Sequence, residues 1–285
     1  MTFHLISWAP WPKKEAFAIP KLFQDACTTL GVDFVLHNIE STDLTTLPVL
    51  GSQDMVYRCV YFKKTKTAEQ LMMGPKTASF RTDWASVVNA RGCSYFIHEK
   101  IGIPVVPSVP FIPETEEGIL KVVDQLGGFP LIVKARGGTH GVGVIRVDSL
   151  PSLKSLLDYL RSEDANVILR KYIPHDYYAR LVVVGDAVVA SHVTYALANE
   201  FRTNSGDDAL HKREPRVFSK EIQDMAVKAV KTLGLETGGV DLLFDTDGKP
   251  FLTEVNFPHD FSMTQKITGI DIAQAMVKHL MSKTS

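Results

Sequence analysis

Residues 130–147 read Pro130-Leu131-Ile132-Val133-Lys134-Ala135-Arg136-Gly137-Gly138-Thr139-His140-Gly141-Val142-Gly143-Val144-Ile145-Arg146-Val147. Two apolar strand signals enclose a turn holding four glycines, and Lys134 ends the first strand. The segment is therefore expected to fold as strand, turn, strand, which excludes two familiar nucleotide folds. A Walker loop ends in Gly-Lys-Ser/Thr and leads into a helix, and a dinucleotide fingerprint also opens a helix; neither pattern is present. Glycines let backbone N–H groups approach phosphate oxygens without a side-chain clash. A lysine at the rim adds a point charge for the same oxygens. Taken alone, these residues describe an ordinary tight hairpin with a surface lysine equally well.

Strand and helix signals alternate along the whole chain, so the architecture is expected to be α/β. At 285 residues it is long enough for a sizeable core divided over two or three subdomains. Phe3–Ser7 predicts a strand and Ala16–Leu30 an amphipathic helix stopped by Gly31. Phe34–His37 and Met55–Val60 predict buried strands. In the stretch Tyr61–Trp84, Lys63, Lys64 and Lys66 read as a solvated loop or helix face, with a substrate-facing loop as the alternative. Further along, helices are predicted over Ser94–Ile101, Glu114–Leu126, Leu150–Arg161, from an N-cap at Ser219 to Leu233, and over Asp271–Met281. Val167–Leu169 is a short strand. Gly185-Asp186 and Asp245-Thr246-Asp247-Gly248 mark two hairpins.

The second hairpin collects chemistry. Glu254 and Asn256 are two apart on a strand and so share a face, and the turn lays Asp241 beside them. Two carboxylates and an amide oxygen are hard ligands suited to Mg²⁺ on phosphates. An exposed hairpin edge with scattered polar groups is the plainer reading. Phe201-Arg202-Thr203-Asn204 follows the first hairpin; Arg202 is either a surface arginine or a fixed cation for phosphoryl transfer.

The order and spacing of these three groups resemble the RimK-like ATP-grasp ligases. That group includes enzymes that add glutamate to a ribosomal protein tail and those that load an amino-group carrier protein. Lys134 with Gly138–Val144, the hairpin Leu181–Asp186, Phe201–Asn204, Gly239–Leu243, Glu254-Val255-Asn256 and Thr268–Ala273 carry the resemblance, which runs from about Ile103 to the C-terminus. It implies a three-domain ATP-grasp fold, α/β and α+β: a small N-terminal βαβ domain (residues 1–90), a central lid domain (91–169) and a C-terminal antiparallel-sheet domain (170–285). It implies ATP and two Mg²⁺ ions, with Mn²⁺ as a substitute, and a carboxylate–amine ligase working through an acyl phosphate. Asp241, Glu254 and Asn256 would hold the metal, and Arg202 and Arg180 would be catalytic. Lys134, Gly137, Gly138, Thr139, Gly141, Gly143, Lys171, Tyr172, Asp176, Tyr178 and Asn204 would bind the nucleotide. The acceptor would be an amino acid, a peptide, or a peptide or carrier-protein tail. A non-catalytic nucleotide-binding regulator on the same fold is the rival expectation.

The chain departs from the family pattern at four places. The adenine hinge, usually Gln-Glu-Tyr/Phe-Ile, reads Arg170-Lys171-Tyr172-Ile173, a reversal of charge. The Asp-x-Arg after it reads Tyr178-Ala179-Arg180, with Asp176 as a nearby carboxylate, and Arg91 is a guess for an upstream nucleotide lysine. The Ser-Pro-Gly-type loop reads Phe257-Pro258-His259-Asp260-Phe261-Ser262-Met263; it is expected to border the acceptor, with Asp260 orienting an ammonium.

Bulk properties exclude other classes. A net charge of −1 gives no basic field for nucleic acid. Cys27, Cys59 and Cys93 are too few and too scattered for a disulfide framework or a zinc knuckle, which suits a reducing, cytoplasmic setting. The histidines, His140 and His259 included, sit at no zinc-ligand spacing. Met1–Pro10 lacks the pattern of a signal peptide, no apolar run reaches about 20 residues for a membrane span, and self-association is left open.

Overall fold

The computed structural model describes residues 1–8, 18–83, 94–110, 112–135, 141–197, 200–202 and 210–284. Gly137, Gly138, Thr139, His140, Asn204, Arg91 and Cys93 lie outside the described residues, as do the beginning of the helix expected from Ala16 and the end of the stretch Tyr61–Trp84.

Three sheets are stacked along the chain. The first is parallel, in the order β2-β1-β3, from β1 (Thr2–Ser7), β2 (Asp33–Asn38) and β3 (Asp54–Arg58). Parallel neighbours need a crossover, and α1 (Ala18–Leu30) supplies it. Its buried Phe23, Ala26 and Cys27 fall at the i, i+3, i+4 spacing of one helix stripe. Gly31 then takes φ +67°, the left-handed conformation that ends the helix. β2 pairs only with β1, and its Val35 and Leu36 are exposed, against the expectation of a buried strand. The basic stretch becomes α2 (Lys63–Met72): Thr65, Ala68, Glu69 and Met72 point inward, and Lys63 and Lys64 lie on the solvated face.

After α3 (Ser94–Lys100) comes an antiparallel sheet of order β4-β7-β5-β6, made of β4 (Ser108–Pro110), β5 (Leu131–Ala135), β6 (Val144–Val147) and β7 (Val167–Lys171). Helices α4 (Glu116–Gln125) and α5 (Leu150–Ser162) begin at the side-chain caps Thr115 and Ser149. They pack Ile119, Val122, Leu153 and Leu157 against Leu131, Val133, Val147 and Leu169. Strand side chains alternate. With one face thus committed to the helices, Ile132, Lys134, Ile168 and Arg170 must lie on the other.

The third sheet is antiparallel, of order β10-β9-β8-β11-β12, with β8 (Tyr177–Val184), β9 (Ala187–Tyr195), β10 (Arg213–Pro215), β11 (Thr237–Phe244) and β12 (Pro250–Asn256). Both expected hairpins are present. Helices α6 (Lys220–Thr232), α7 (Ser262–Thr268) and α8 (Ile272–Met281) complete the unit, with Ser219 capping α6 and Asp271 capping α8. The short α7, β4 and β10 have too few residues to show a period in sequence.

The loop 257–263 is a correction to the expectation for the acceptor. Phe257 and Phe261 are buried, 4% and 0% exposed, in a core shared with the first sheet. Phe261 meets Phe23 edge-on with centroids 5.5 Å apart, and Tyr57 packs on Phe257 at 6.2 Å. Tyr57 Oη accepts from His259 N at 3.3 Å. Asp260 is exposed, and its Oδ1 accepts from Ser262 N and Oγ at the start of α7 (2.8 and 2.6 Å). The phenylalanines join this loop to the core of the first sheet, because a buried aromatic gains more from apolar packing than from walling a polar site.

Candidate active site

Register builds the site. Across the third sheet, Pro215 lies opposite His192, His192 opposite Arg180, Arg180 opposite Asp241, and Asp241 opposite Glu254. Directly opposed residues share a face, so β9, β8, β11 and β12 present one row of polar side chains, with Pro215 of β10 at its end. Arg180 holds Asp241 through two bonds, Nε to Oδ1 at 2.6 Å and Nη2 to Oδ2 at 3.1 Å. Asn256 Nδ2 donates to Asp241 Oδ2 at 2.9 Å and to Glu254 Oε1 at 3.2 Å. From the facing sheet, Lys134 Nζ donates to Glu254 Oε2 at 3.3 Å. Residues 120 apart in sequence thus close the row from the other side of a cleft.

Gly239 makes room for this arrangement. A Cβ there would stand 2.4 Å from Arg180 Nη1 and 3.2 Å from His259 Cβ, so any side chain would displace the guanidinium. On the opposite wall, Gly141 and Gly143 take φ +76° and +80°. Gly143 O accepts from Ala135 N at 2.8 Å, and a Cβ on Gly143 would press on Ala135 O at 3.1 Å. The turn beyond Lys134 therefore requires glycine for its backbone as well as for access.

The electrostatics divide the two carboxylates. Burial pushes the Asp241 carboxyl up to about 7, with the Arg180 charge opposing and the Glu254 charge adding. Burial also pushes Glu254 upward, but the Lys134 charge, the Asn256 hydrogen bond and the Arg180 charge outweigh it and hold the group below its ordinary value. His192 is pushed down to about 4, first by burial and then by Arg180 and Arg213, and His259 to about 3 by burial and Arg180. Both imidazoles are neutral near pH 7.

These residues fit a divalent cation. Asp241 and Glu254 supply hard carboxylate oxygens, and Asn256 has an amide oxygen at the far end of the group that now donates. A carboxyl driven toward neutrality beside a second carboxylate is the charge conflict that a bound cation relieves. Among the described residues no cluster of three or more His, Cys, Asp or Glu side chains forms, so the candidate site depends on the amide as its third donor.

Other expected site residues are placed less centrally. Arg202 is held by Glu200, with Nε at 3.0 Å and Nη2 at 2.8 Å, and lies over the Phe201 ring. Tyr178 shares the cleft face with Arg180. Tyr172 lies beneath Arg146, whose Cζ is 4.8 Å from the ring centroid. Asp176 is exposed. The exposed Lys171 runs toward Gly127, where an added Cβ would come within 3.8 Å of its Nζ. Two cleft residues are absent from the sequence-based assignment. Arg170 shares a face with Lys134, and His192 stands in the polar row. The alternation Ile168-x-Arg170 was the available signal for the first. For His192 the signal needs the pairing of β8 with β9.

Residues 91–280 match the family model of the RimK-like ATP-grasp domain. A probable alpha-L-glutamate ligase of Picosynechococcus is 31% identical over 195 residues, which is 67% of this chain and 62% of that one. The ribosomal protein bS6–L-glutamate ligase of Salmonella paratyphi B is 32% identical over 193 residues, 66% of this chain and 61% of that one. The chain thus spans less than two thirds of the length of these curated relatives. Among solved structures, the ATP-grasp ligase PsnB, complexed with a phosphomimetic variant of its minimal precursor, Mg and ADP, superposes with a TM-score of 0.72 at 14% identity. The match covers 100% of this chain and 99% of that one, a likeness of fold. The match over residues 91–280, two thirds of the chain, places it in the RimK-like ATP-grasp family.

Proposed function

We propose that this chain is an ATP- and Mg²⁺-dependent carboxylate–amine ligase that forms an amide bond through an acyl phosphate. The observation that carries the reading is the contact between Lys134 and Glu254, which brings a cation beside a glycine turn onto a carboxylate pair. A pure nucleotide-binding regulator needs the lysine but not the Arg180–Asp241–Asn256–Glu254 row behind it.

Asp241, Glu254 and Asn256 would hold the Mg²⁺ ions, two of them, or Mn²⁺ in their place. When bound, the metal neutralises charge on the β- and γ-phosphate oxygens. Lys134 holds the same phosphates from the opposite wall. Arg180 fixes the orientation of Asp241 and places a charge beside the reacting groups. The glycines between Gly137 and Gly143 would let backbone N–H groups approach those phosphates. Arg202, released from Glu200, meets the γ-phosphoryl group. Tyr172, the Lys171 backbone, Asp176, Tyr178 and Asn204 border the nucleoside.

The acceptor is an amino acid or a peptide, and the relatives' substrates, a ribosomal protein and a precursor peptide, favour a peptide tail. Cys27 and Cys59 are free thiols, and no described helix is long and apolar enough to cross a membrane; a cytoplasmic setting suits both facts. Hydroxylamine tests the reading directly. With ATP, Mg²⁺ and the correct carboxylate, it should trap an acyl hydroxamate in the absence of any amine. ADP release without hydroxamate across a panel of amino acids and peptides would refute the acyl-phosphate route.

A further inference from the structure

The polar row of the third sheet is divided by charge. Its β12 end carries the carboxylates Glu254 and Asp241, and Lys134 meets Glu254 there. Toward β10 the row carries only nitrogen groups. Arg180 stands in the middle and gives two bonds to Asp241. His192 lies directly opposite Arg180 on β9, with the two Cβ atoms about 5 Å apart. Arg213 of β10 pairs with Thr194. It is therefore the diagonal neighbour of His192, about 7–8 Å away and within reach of a long side chain. Alternation puts Arg180, His192 and Arg213 on one face.

His192 is 6% exposed. Its Nδ1 is buried and has no hydrogen-bond partner among the described residues. Pro215, directly opposite it on β10, has no polar side chain to offer. An orphaned buried polar atom is costly, and such atoms commonly serve a ligand. Burial first, then the Arg180 and Arg213 charges, hold the imidazole near 4, so at pH 7 it is neutral and keeps one N–H to donate.

Two guanidiniums and a neutral N–H are all donors, so the group they suit is an anion with more than one acceptor oxygen. The phosphate end of the row is already marked by Lys134, Asp241 and Glu254, which leaves the nitrogen end, one strand further on, for the other reactant. We propose that His192, between Arg180 and Arg213, binds the carboxylate that the reaction activates, its Nδ1–H donating to the oxygen that is not phosphorylated. This inference rests on the ligase reading above and adds the residue that selects the acid substrate. An amino-acid amine also carries a carboxylate, and hydroxylamine separates the two sources because it carries none.

The test measures hydroxamate formation by the full chain with ATP, Mg²⁺ and hydroxylamine. The acids supplied are acetate, glutarate, N-acetyl amino acids and short peptides. H192L removes both ring nitrogens, whereas H192N places an amide nitrogen where Nδ1 stands. In H192L the KM for the best acid should rise by about tenfold or more, with the KM for ATP within about threefold of wild type. In H192N the KM for the acid should return to within about threefold of wild type. An acid KM unchanged in H192L, equal losses in H192L and H192N, or a KM for ATP that rises in step overturns the proposal. So does an H192L defect confined to glycine as the amine and absent with hydroxylamine, since that places the amine's carboxylate at His192. If H192L does not fold, R213Q decides: its acid KM should rise by about tenfold, and an unchanged value overturns the proposal. Absence of hydroxamate in the wild type with every acid sinks the ligase reading instead, an outcome distinct from catalysis with an unmoved KM.

Discussion

Asp241→Asn should stabilise the metal-free protein at alkaline pH while abolishing its chemistry. Asp241 is 14% exposed, and its carboxyl is pushed from 3.8 up to about 7 by burial, with Glu254 adding to the rise and Arg180 opposing it. A group whose pKa is higher folded than unfolded favours the folded state below the unfolded value and loses that contribution as pH rises through the folded value. Relative to acid, the raised Asp241 carboxyl therefore lowers stability by about 4 kcal/mol at pH 8, by between 1 and 2 kcal/mol near pH 5, where the unfolded chain alone ionises, and hardly at all below pH 4 (each roughly, from ~1.4 kcal/mol per unit). Asn mimics the protonated carboxyl. With chelator present, the D241N variant should unfold at higher denaturant concentration than wild type at pH 8, and the gap should close toward pH 4. Adding Mg²⁺ should stabilise the wild type and leave D241N unmoved. A D241N variant less stable than wild type at pH 8, or a gap independent of pH, would refute the claim that Asp241 is a charge-strained ligand.

Lys134→Ala should weaken ATP by at least about tenfold and adenosine hardly at all, because the lysine addresses phosphates; equal losses by titration calorimetry would make it structural. Arg180→Lys removes the two-point hold on Asp241 and should lower kcat by at least about tenfold with little change in KM for ATP, since an ammonium cannot copy the fork; steady-state kinetics decide, and a wild-type kcat would remove Arg180 from the mechanism. Phe261→Ala, at a fully buried side chain packed on Phe23, should cost about 3–5 kcal/mol on chemical denaturation, whereas a loss below about 1 kcal/mol would contradict its anchoring role.

The sequence was most legible where local chemistry dictates geometry. Gly31, Thr115, Ser149, Ser219 and Asp271 mark helix ends through backbone conformation or caps, and both hairpin turns are readable as turn residues. The grouping of Asp241, Glu254 and Asn256 follows from a two-residue strand period across one short hairpin, and the structure keeps the three within hydrogen-bond distance. Other features depend on distant partners. Whether β2 is buried depends on its having one strand neighbour, not on its own apolar residues. The phenylalanines at 257 and 261 look like a substrate wall until Phe23 and Tyr57, 200 or more residues away, appear beside them. Arg170 and His192 gain meaning only when register puts them in line with Lys134 and Arg180.

The account stands most directly on ADP release by wild type and Glu254→Gln, with ATP, Mg²⁺ and paired panels of carboxylates and amines. The wild type should release ADP only with Mg²⁺ and a matched carboxylate and amine, and the variant should fall to background, because one carboxylate serves both the metal and Lys134. ADP release that persists in the variant, or that proceeds in the wild type with chelator present, would contradict a ligase built on this row of residues.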